Sequence, residues 1–378
     1  MKIIFFCGSL EPGRDGVGDY CRRLSEQLSV LGHQPFLVAL NDSHISSVIE
    51  VFQVESDIEI PALRIPSIYS RHDSFVLLQD LINRFDPDYL SLQFVPFAFH
   101  SKGLPFTIVN FLKKLGKGRS WHIMFHELWV GIDKEASFKH VCWGWVQKQI
   151  IKGILRKLRP KAIHTQTRIY ITMLKKLNYH AHHLPLFSNI PLNTKAKRKN
   201  NEIGFKENGN RRINFLMFAG IQPGAPILEF VHEVAEYSDK YNVEVELKTI
   251  GRCGQEQDKW ETAWKSKDLP FQSLGGQSPE RISEELSIAS IGISTTPAFQ
   301  IEKSGSVAAM LQHGLPVLCI SRSWQPRGAS NHLVLPKGVR EYKPGTLKNL
   351  IEDNFETDVS NDLMLIAQRF VKTLSEAS

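Results

Sequence analysis

Short apolar runs alternate with amphipathic helical stretches along this chain, and this alternation limits the possible folds more than any other feature. The runs are continuous rather than apolar at every other residue, which is typical of parallel strands buried on both faces. They read "KIIFF", "PFLVAL", "DYLSLQF", "HIMF" and "AIHTQT" in the first half, and "INFLMFAG", "VEVELKTIG", "IASIGIS" and "LPVLCI" in the second. The pattern predicts two doubly wound α/β units.

The first connection between strands has helical spacing. Tyr20, Leu24, Leu28 and Leu31 follow one another at steps of four, four and three residues, and Gly32 stops the helix before "QPFLVAL". We therefore expect the first β-α-β unit to be complete at the end of that strand.

The chain has 378 residues, which is more than a single hydrophobic core usually serves, so two domains are expected. The stretch "NTKAKRKNNEIGFKENGNRR" is polar, charged and almost free of large apolar residues. It predicts a linker at 192–212, after a first domain at 1–191. A nucleic-acid-binding arm is the alternative, but only Phe205 could stack on a base there, which favours a solvated linker.

Composition excludes several classes of protein. No apolar run approaches the roughly 18 residues of a membrane-spanning helix, and the N-terminus lacks a cleavage-site pattern, so the chain is expected to begin at or near Met1. The five cysteines are scattered and never spaced as CxxC, which argues against a disulfide framework or a zinc knuckle and favours a reducing cytoplasm. The net charge of +7 is compatible with nucleic acid, an anionic membrane or anionic small substrates.

Ligands of open parallel sheets bind at the carboxyl ends of the strands, so the loops that follow strands are the candidate sites. In "CGSLEPGRDGVGDY", Gly16, Val17 and Gly18 open a helix whose amides and glycines could approach an anion. A flexible glycine turn explains this loop equally well, since it does not match GxGxxG. After "HIMF" comes His126, which could hydrogen-bond a sugar hydroxyl or shuttle a proton.

Two loops of the second half have comparable features. In "FAGIQPGAPILEF", Gly220 and Gly224 bracket Gln222, a geometry that suits a phosphate, although this loop contains no cation. In "PAFQIEKSGSVAAMLQHGLPVLCI", Lys303 could supply that cation.

The amides of Ser304, Gly305 and Ser306 could then wrap a diphosphate at the start of a helix. A purely structural interpretation makes Ser304 an N-cap and Gly314 the end of the helix. Both interpretations can hold together, and only the anion site accounts for the adjacent Glu302 and Lys303.

With these loops in place, nearly the whole chain resembles a glycosyltransferase of the GT-B fold, most like family 4. The resemblance rests on the order and spacing of the Gly16/Gly18 loop with "LSEQLSVLGHQPFLVAL", the "FHE" around His126, "LPLFSNIP", "LGGQSPERISEELSIASIGISTTP" and "GLPV".

It implies two Rossmann-like domains facing an interdomain cleft, with the acceptor held mainly by the first. The second, at 213–360, would hold the donor, and a C-terminal helix at 361–378 would pack back on the first domain.

The resemblance also implies an activity: transfer of a sugar from a nucleotide-diphosphate sugar, a UDP- or GDP-sugar, to a saccharide, lipid-linked or small-molecule acceptor. It implies retention of configuration, no metal and no cofactor, and it places Gly276 and Gln277 near the base. Two features of the family are missing: the Arg and Lys expected in "GIQPGAP", and the second of two glutamates. We expect Lys303 and Arg252 to replace the cations, and Glu302 to face the donor sugar.

Three alternatives remain open. One is a nucleotide-sugar epimerase of the same fold, and another is a non-catalytic binding or scaffold protein, because the missing features are catalytic ones. Nucleic-acid binding is the third, and no recognisable RNA- or DNA-binding module favours it.

The basic segment 139–161 interleaves tryptophans and aliphatic residues with lysines and arginines, as peripheral helices on anionic membranes do. A helix packed by its apolar side, with a solvated basic face, is the preferred interpretation.

Overall fold

The structure is a computed structural model that describes residues 1–192, 205–207, 210–328, 333–353 and 362–377. Its contacts divide the chain into two compact units. Unit 1 comprises Met1–Pro185, Pro326–Ala329 and Leu363–Ser378, and unit 2 comprises Leu186–Gln325 and Ser330–Asp362. Most of the segment predicted as a linker, 192–212, lies outside the described residues.

Strands and helices alternate along most of the chain. In chain order they are β1 (Lys2–Cys7), α1 (Gly16–Val30), β2 (Gln34–Asp42), β3 (Ile49–Glu55), β4 (Ile58–Pro66), α2 (Arg71–Phe85), β5 (Tyr89–Phe94), α3 (Ile108–Leu115), β6 (Ser120–Phe125), α4 (Phe138–Leu158), β7 (Ala162–Thr165), α5 (Arg168–Lys175), β8 (His182–His183), β9 (Phe205–Glu207), β10 (Asn210–Phe218), α6 (Ile227–Tyr241), β11 (Val243–Ile250), α7 (Glu256–Lys265), β12 (Phe271–Ser273), α8 (Pro279–Ile288), β13 (Ile291–Ser294), α9 (Gly305–Gln312), β14 (Val317–Cys319), β15 (Val339–Glu341), α10 (Leu347–Glu352) and α11 (Leu363–Glu376).

The sheet of unit 1 has eight strands within the described residues, in the order β3-β4-β2-β1-β5-β6-β7-β8. All neighbours are parallel except β3 and β4. From Ile3 to Cys7, strand β1 is completely buried, as a central strand covered on both faces should be. Each of the five apolar runs of the first half is therefore a strand, and the predicted α/β architecture is confirmed for this unit.

Helix α1 forms as its spacing predicts, with one difference at its end. Tyr20, Leu24 and Leu28 are buried, but the helix ends at Val30 and Leu31 is its C-cap. The turn continues through Gly32, whose φ of 79° is in the left-handed region that glycine tolerates best.

The antiparallel β3-β4 hairpin departs from the predicted all-parallel sheet. Its turn is made by Ser56 and Asp57, both with positive φ, rather than by the Asn-Gly or Asp-Gly pair typical of such turns. Strand β4 also contains Pro61 and Pro66, and most of β3 is exposed or half-buried. Because of these features, the search for continuous apolar runs does not detect this hairpin at the edge of the sheet.

The sheet of unit 2 follows the order β12-β11-β10-β13-β14-β15, with β9 paired to β10. Its neighbours are parallel except for the antiparallel β9-β10 pair. The four apolar runs of the second half form β10, β11, β13 and β14. The core of this unit includes large buried rings from both helices and strands, among them Phe215, Phe230, Trp260 and Trp264.

Helix α11 belongs to unit 1 and covers one face of its sheet. Its Phe370 is 1% exposed and lies with its ring centroid 5.9 Å from that of Phe5 and 5.0 Å from that of His122. The hydroxyl of Tyr89 donates to the carbonyl of Leu374 at 2.8 Å. Among the helices of the described ranges, none combines the length and apolarity that a membrane span requires.

Candidate functional site

In unit 2 the chain direction across the sheet reverses between β10 and β13. From β10 the chain proceeds to β11 on one side, and β13 then pairs with β10 on the other. Such a switch point leaves a crevice at the carboxyl ends of the two strands, where open α/β sheets bind their ligands. The loops after β10 and β13 therefore form the candidate ligand site of unit 2.

Hydrogen bonds tie four loops together at this edge. The Gln222 amide donates to the Thr295 hydroxyl at 2.6 Å, which joins the loop after β10 to the loop after β13. The Ile221 amide donates to the Cys253 carbonyl at 3.1 Å, next to Arg252. The Gly251 amide donates to the Gly275 carbonyl at 2.7 Å, next to Gly276 and Gln277. The structure thus brings Gly220, Gln222, Arg252, Gly276 and Gln277 to one edge of the sheet.

These residues differ in what they present to a ligand. Arg252, Gly220 and Gly276 are exposed, and no atom lies within 4 Å of where a Cβ would stand at either glycine. Gln277 is exposed, but its side-chain amide donates to the carbonyl of Leu274 at 2.6 Å. Its amide is therefore engaged within its own loop.

Helix α9 begins at the same edge, after a 3-10 helix at Ala298–Lys303. Ser304 is its N-cap, with a hydroxyl that accepts from the Val307 amide at 3.4 Å. Gly314 has a φ of 69° just beyond the helix. The predicted cap and the predicted end of this helix are both confirmed.

The predicted amide cradle needs one correction. The Ser304 amide donates to the Ile301 carbonyl at 3.1 Å and closes the 3-10 helix, so it is not directed at a ligand. The amides of Gly305 and Ser306 remain in the first turn, where helix geometry provides no intrahelical acceptor. Glu302 and Lys303 end the 3-10 helix and are both half-buried.

Two features of this edge were not identified from the sequence. Arg322, in the loop after β14, lies beside the Gly224 turn, where its Cβ is 3.1 Å from the position of a Cβ built on that glycine. The sequence signal that could have identified Arg322 is its position just after the strand "LPVLCI", in a loop at the carboxyl edge of the sheet. Ala219, directly after β10, has a φ of 66°, a conformation that is strained for alanine and that proteins retain where the surrounding structure enforces it. No pattern in the sequence indicates the positive φ of Ala219.

In unit 1 the corresponding switch point lies between β1 and β5, and its first loop corrects a prediction. The Asp15 side chain accepts hydrogen bonds from the amides of Val17 and Gly18, at 2.9 and 2.8 Å. A carboxylate therefore occupies the helix end at which Gly16, Val17 and Gly18 were predicted to bind an anion. Gly18 serves packing instead, because a Cβ there would lie 2.5 Å from the Ser9 carbonyl oxygen.

His126 lies directly after β6, as predicted, and is 7% exposed. Its Nε2 is 2.9 Å from Oε1 of Gln93, and its ring meets that of Tyr20 edge to face at 4.9 Å. Burial lowers the pKa of His126 to about 3, partly offset by a hydrogen bond with Gln166. The ring is therefore neutral at physiological pH.

A buried chain of polar groups continues from His126 across three strands. Gln93 donates to the Ser91 hydroxyl at 2.7 Å, Ser91 lies 2.8 Å from Nδ1 of His122, and Nε2 of His122 lies 2.9 Å from Nδ1 of His164. Since Oε1 of Gln93 can only accept, Nε2 of His126 carries a proton. The two contacts that follow are mutually consistent if Ser91 donates to Nδ1 of His122 and Nε2 of His122 donates to Nδ1 of His164.

Burial also keeps the other two rings of this chain neutral. It lowers the pKa of His164 to about 3, and it lowers the pKa of His122 well below its ordinary value. No pattern in the sequence predicts this chain, because its members come from three separate strands and each histidine alone is unremarkable.

The basic segment 139–161 falls on α4 and the turn after it. Ile150, Ile151, Ile154 and Leu155 are buried against unit 1, as the preferred interpretation of a packed helix requires. The first half of the helix differs, since Trp145 is 63% exposed.

Comparison with known proteins establishes the fold. No protein-family model matches the chain, and no curated protein matches it. Solved structures do match over the whole chain. The catalytic domain of starch synthase IV from Arabidopsis thaliana, bound to ADP and acarbose, has a TM-score of 0.56 at 10% identity, over 100% of this chain and 99% of that chain.

Two further solved structures are similar to the same extent. The α,α-trehalose-phosphate synthase (UDP-forming) from Burkholderia xenovorans, in complex with glucose-6-phosphate, has a TM-score of 0.57 at 9% identity, over 99% of each chain. The UDP-GlcNAc 2-epimerase from Neisseria meningitidis, bound to UDP-GlcNAc, has a TM-score of 0.54 at 11% identity, over 100% of each chain. The fold is accordingly GT-B, with two Rossmann-like α/β domains, and the assignment to family 4 stays a prediction.

Proposed function

We propose that this protein is a glycosyltransferase that moves a sugar from a nucleotide-diphosphate sugar to an acceptor. The observation that carries the proposal is the edge of the unit 2 sheet, where hydrogen bonds join four loops beside the N-terminus of α9. A diphosphate needs cations and amide donors at one place, and this edge supplies both.

Each residue of this edge has a proposed role. Lys303, Arg252 and Arg322 neutralise the diphosphate, and the amides of Gly305 and Ser306 donate to it. Glu302 faces the donor sugar. Arg322 adds a cation beside "GIQPGAP", the loop that lacks the Arg and Lys expected from the resemblance to family 4.

The remaining roles rest on the resemblance. Gly220 and Gln222 border the donor, and Gly276 and Gln277 meet the base. In unit 1, neutral His126 hydrogen-bonds a sugar hydroxyl. Transfer with retention of configuration and without a metal ion is part of the same proposal.

Similar proteins support the proposal by their substrates. The starch synthase was solved with ADP, and the trehalose-phosphate synthase is named as UDP-forming. ADP and UDP are nucleoside diphosphates, the class of leaving group that we propose for the donor of this protein.

Epimerisation of the nucleotide sugar is the second candidate, because the epimerase from Neisseria meningitidis has the same fold. Product analysis without an acceptor separates the two activities: an epimerase converts the donor sugar under those conditions, whereas a transferase needs the acceptor.

A donor screen tests the proposal. UDP-, GDP- and ADP-sugars are incubated with the protein and mixed acceptors, nucleotide release is measured, and products are identified by mass. We expect release with at least one donor, reduced at least about tenfold in Lys303→Ala, since a charged hydrogen-bond partner is lost.

Lys265→Ala is the matched control for that variant. Its side chain is 60% exposed and pairs with Glu261 at the end of α7, the end that leads to the amino edge of the sheet. The control should turn over like the wild type. Turnover unchanged in Lys303→Ala would contradict the role of this lysine, and no turnover with any donor would contradict the function.

A further inference from the structure

Helix α4 has two kinds of apolar surface, and only one of them is accounted for by the core of unit 1. Its second half is buried through Ile150, Ile151, Ile154 and Leu155. Its first half places Phe138, Val141 and Trp145 at i, i+3 and i+7, on one side of the helix. Phe138 is 83% exposed, Trp145 is 63% exposed and Val141 is half-buried.

A groove lies beside this exposed stripe. Its volume is about 290 Å³, and its described lining is mostly apolar, with three cations and no carboxylate. The lining comprises Trp129, Val130, Gly131, Ile132, Val141, Gly144, Trp145, Lys148, Met173, Lys176, Arg327 and Gly328. The floor forms because Gly144 lets α4 lie directly on the loop after β6, where a Cβ would stand 1.9 Å from the Val130 carbonyl oxygen.

The three cations surround the apolar lining in defined positions. Nζ of Lys148 lies 5.4 Å from the centre of the Trp129 ring. The Arg327 guanidinium donates to the Lys134 carbonyl at 2.7 Å, which holds it at the rim. Lys176 is exposed at the end of α5. The nearby Asp133 carboxylate is buried and accepts from the Glu135 amide at 3.2 Å.

We propose that this groove and the stripe Phe138, Val141 and Trp145 form a docking surface for an anionic lipid bilayer. A lipid phosphate would meet Lys148, Lys176 and Arg327, and the exposed rings would enter the headgroup region. Tryptophan and phenylalanine beside lysine and arginine are the combination that favours the interface of an anionic membrane. The positive net charge of the chain also favours binding to an anionic surface.

The chemistry of the groove favours a bilayer over other occupants. Val130, Ile132, Val141 and Met173 offer no hydrogen-bonding groups on their side chains to read a nucleobase or a peptide. An acyl chain needs none, and the charge of a lipid headgroup complements that of the rim.

Vesicle binding tests this surface without reference to catalysis, so its failure and the failure of the proposed function are separable. The full chain is co-sedimented with phosphatidylcholine vesicles, with and without about 30 mol% phosphatidylglycerol. We expect binding only with phosphatidylglycerol, and loss of that binding in about 0.5 M NaCl.

Two pairs of substitutions locate the contact. Phe138→Ser with Trp145→Ser removes the apolar stripe, and Lys148→Gln with Lys176→Gln removes two cations from the rim. Each double variant should lower the partition coefficient about tenfold or more. Matched controls are Ile288→Ser, at an apolar side chain 59% exposed in unit 2, and Lys259→Gln with Lys265→Gln, whose side chains are 64% and 60% exposed.

Cys142 provides a direct probe of the same surface. It is exposed on α4, whereas Cys7, Cys21, Cys253 and Cys319 are buried, so a thiol-reactive, polarity-sensitive dye should label it selectively. The dye emission should shift to the blue with anionic vesicles and stay unchanged with neutral ones.

The proposal would be overturned by a lack of binding to anionic vesicles, by equal binding to neutral vesicles, or by equal losses of binding in the control variants. Binding of a protein partner that requires Trp145, in the absence of vesicle binding, would also overturn it. Melting temperatures confirm that each variant is folded.

Discussion

At the residue scale, the two glycines at the start of α1 have different tasks. Gly18 is buried against the loop after β1, whereas the position of a Cβ on Gly16 has no atom within 4 Å. Asp15 accepts from two amides of the same turn. The glycine spacing that suggested a ligand loop therefore reflects packing at Gly18.

Substitution of the two glycines by alanine separates these tasks. Gly18→Ala should lower the free energy of unfolding by about 1 to 3 kcal/mol, because its Cβ would overlap the Ser9 carbonyl oxygen and force a backbone shift. Gly16→Ala should change it by less than about 1 kcal/mol. Urea denaturation measures both, and equal effects of the two substitutions would contradict the packing role.

The buried histidines make stability depend on pH. Below about pH 6.5 the unfolded chain binds a proton on each ring, while the folded state keeps His126 and His164 neutral down to about pH 3. Acid therefore favours the unfolded state. The free energy of unfolding should fall by about 1.4 kcal/mol per pH unit for each such ring, from about pH 6 toward pH 4.

His164→Gln isolates one of these rings. The variant should lose about 1.4 kcal/mol per pH unit of the slope over this range, whatever its effect on stability at pH 7. His232→Gln is the control, because its side chain is 58% exposed. Unfolding measured at several pH values decides the matter, and an unchanged slope in His164→Gln would be inconsistent with a ring that stays neutral when folded.

At the scale of elements, α11 completes the core of unit 1, although it lies at the far end of the sequence. Its Phe370 packs on Phe5 and covers the histidines of β6 and β7. The ring thereby keeps water from the His122–His164 hydrogen bond.

Phe370→Ala should lower the free energy of unfolding of unit 1 by about 3 to 5 kcal/mol, as expected for a large ring removed from a core. Leu365→Ala on the same helix should cost about 1 kcal/mol or less, because that side chain is 43% exposed. Thermal and urea unfolding measure both values. A small effect of Phe370→Ala would mean that α11 contributes little to this core.

Among the strands, the central ones could be predicted from the sequence, whereas the edge hairpin and the shortest strands could not. Continuous apolar runs predicted the central strands, since a strand buried on both faces has no polar side to interrupt it. The β3-β4 hairpin was not predicted, because β3 is a mostly exposed edge strand. In addition, its turn residues, Ser56 and Asp57, are not typical of such turns. Short strands such as β12 have too few buried residues to stand out.

At the scale of the whole molecule, the predicted α/β architecture is confirmed, and the candidate site is predictable only in outline. Reading the loops after strands located Gly220 and Gln222, because topology places the carboxyl ends of the strands together. The resemblance to family 4 added Arg252 and Gly276, which the structure places at the same edge. Topology determines neither the directions of side chains nor the hydrogen bonds within loops. The structure was therefore needed to place Arg322 beside Gly224, and to show that the Ser304 backbone amide donates to the Ile301 carbonyl.

Binding of nucleotide diphosphates to the full chain tests the central claim most directly. Isothermal titration with UDP, GDP and ADP should give at least one Kd below about 1 mM, weakened about tenfold or more in Lys303→Ala and in Arg322→Ala. Lys265→Ala should bind like the wild type. If none of the three nucleotides binds, or if the bound one is held equally well without Lys303 and Arg322, the edge of the unit 2 sheet is not a nucleotide-sugar site.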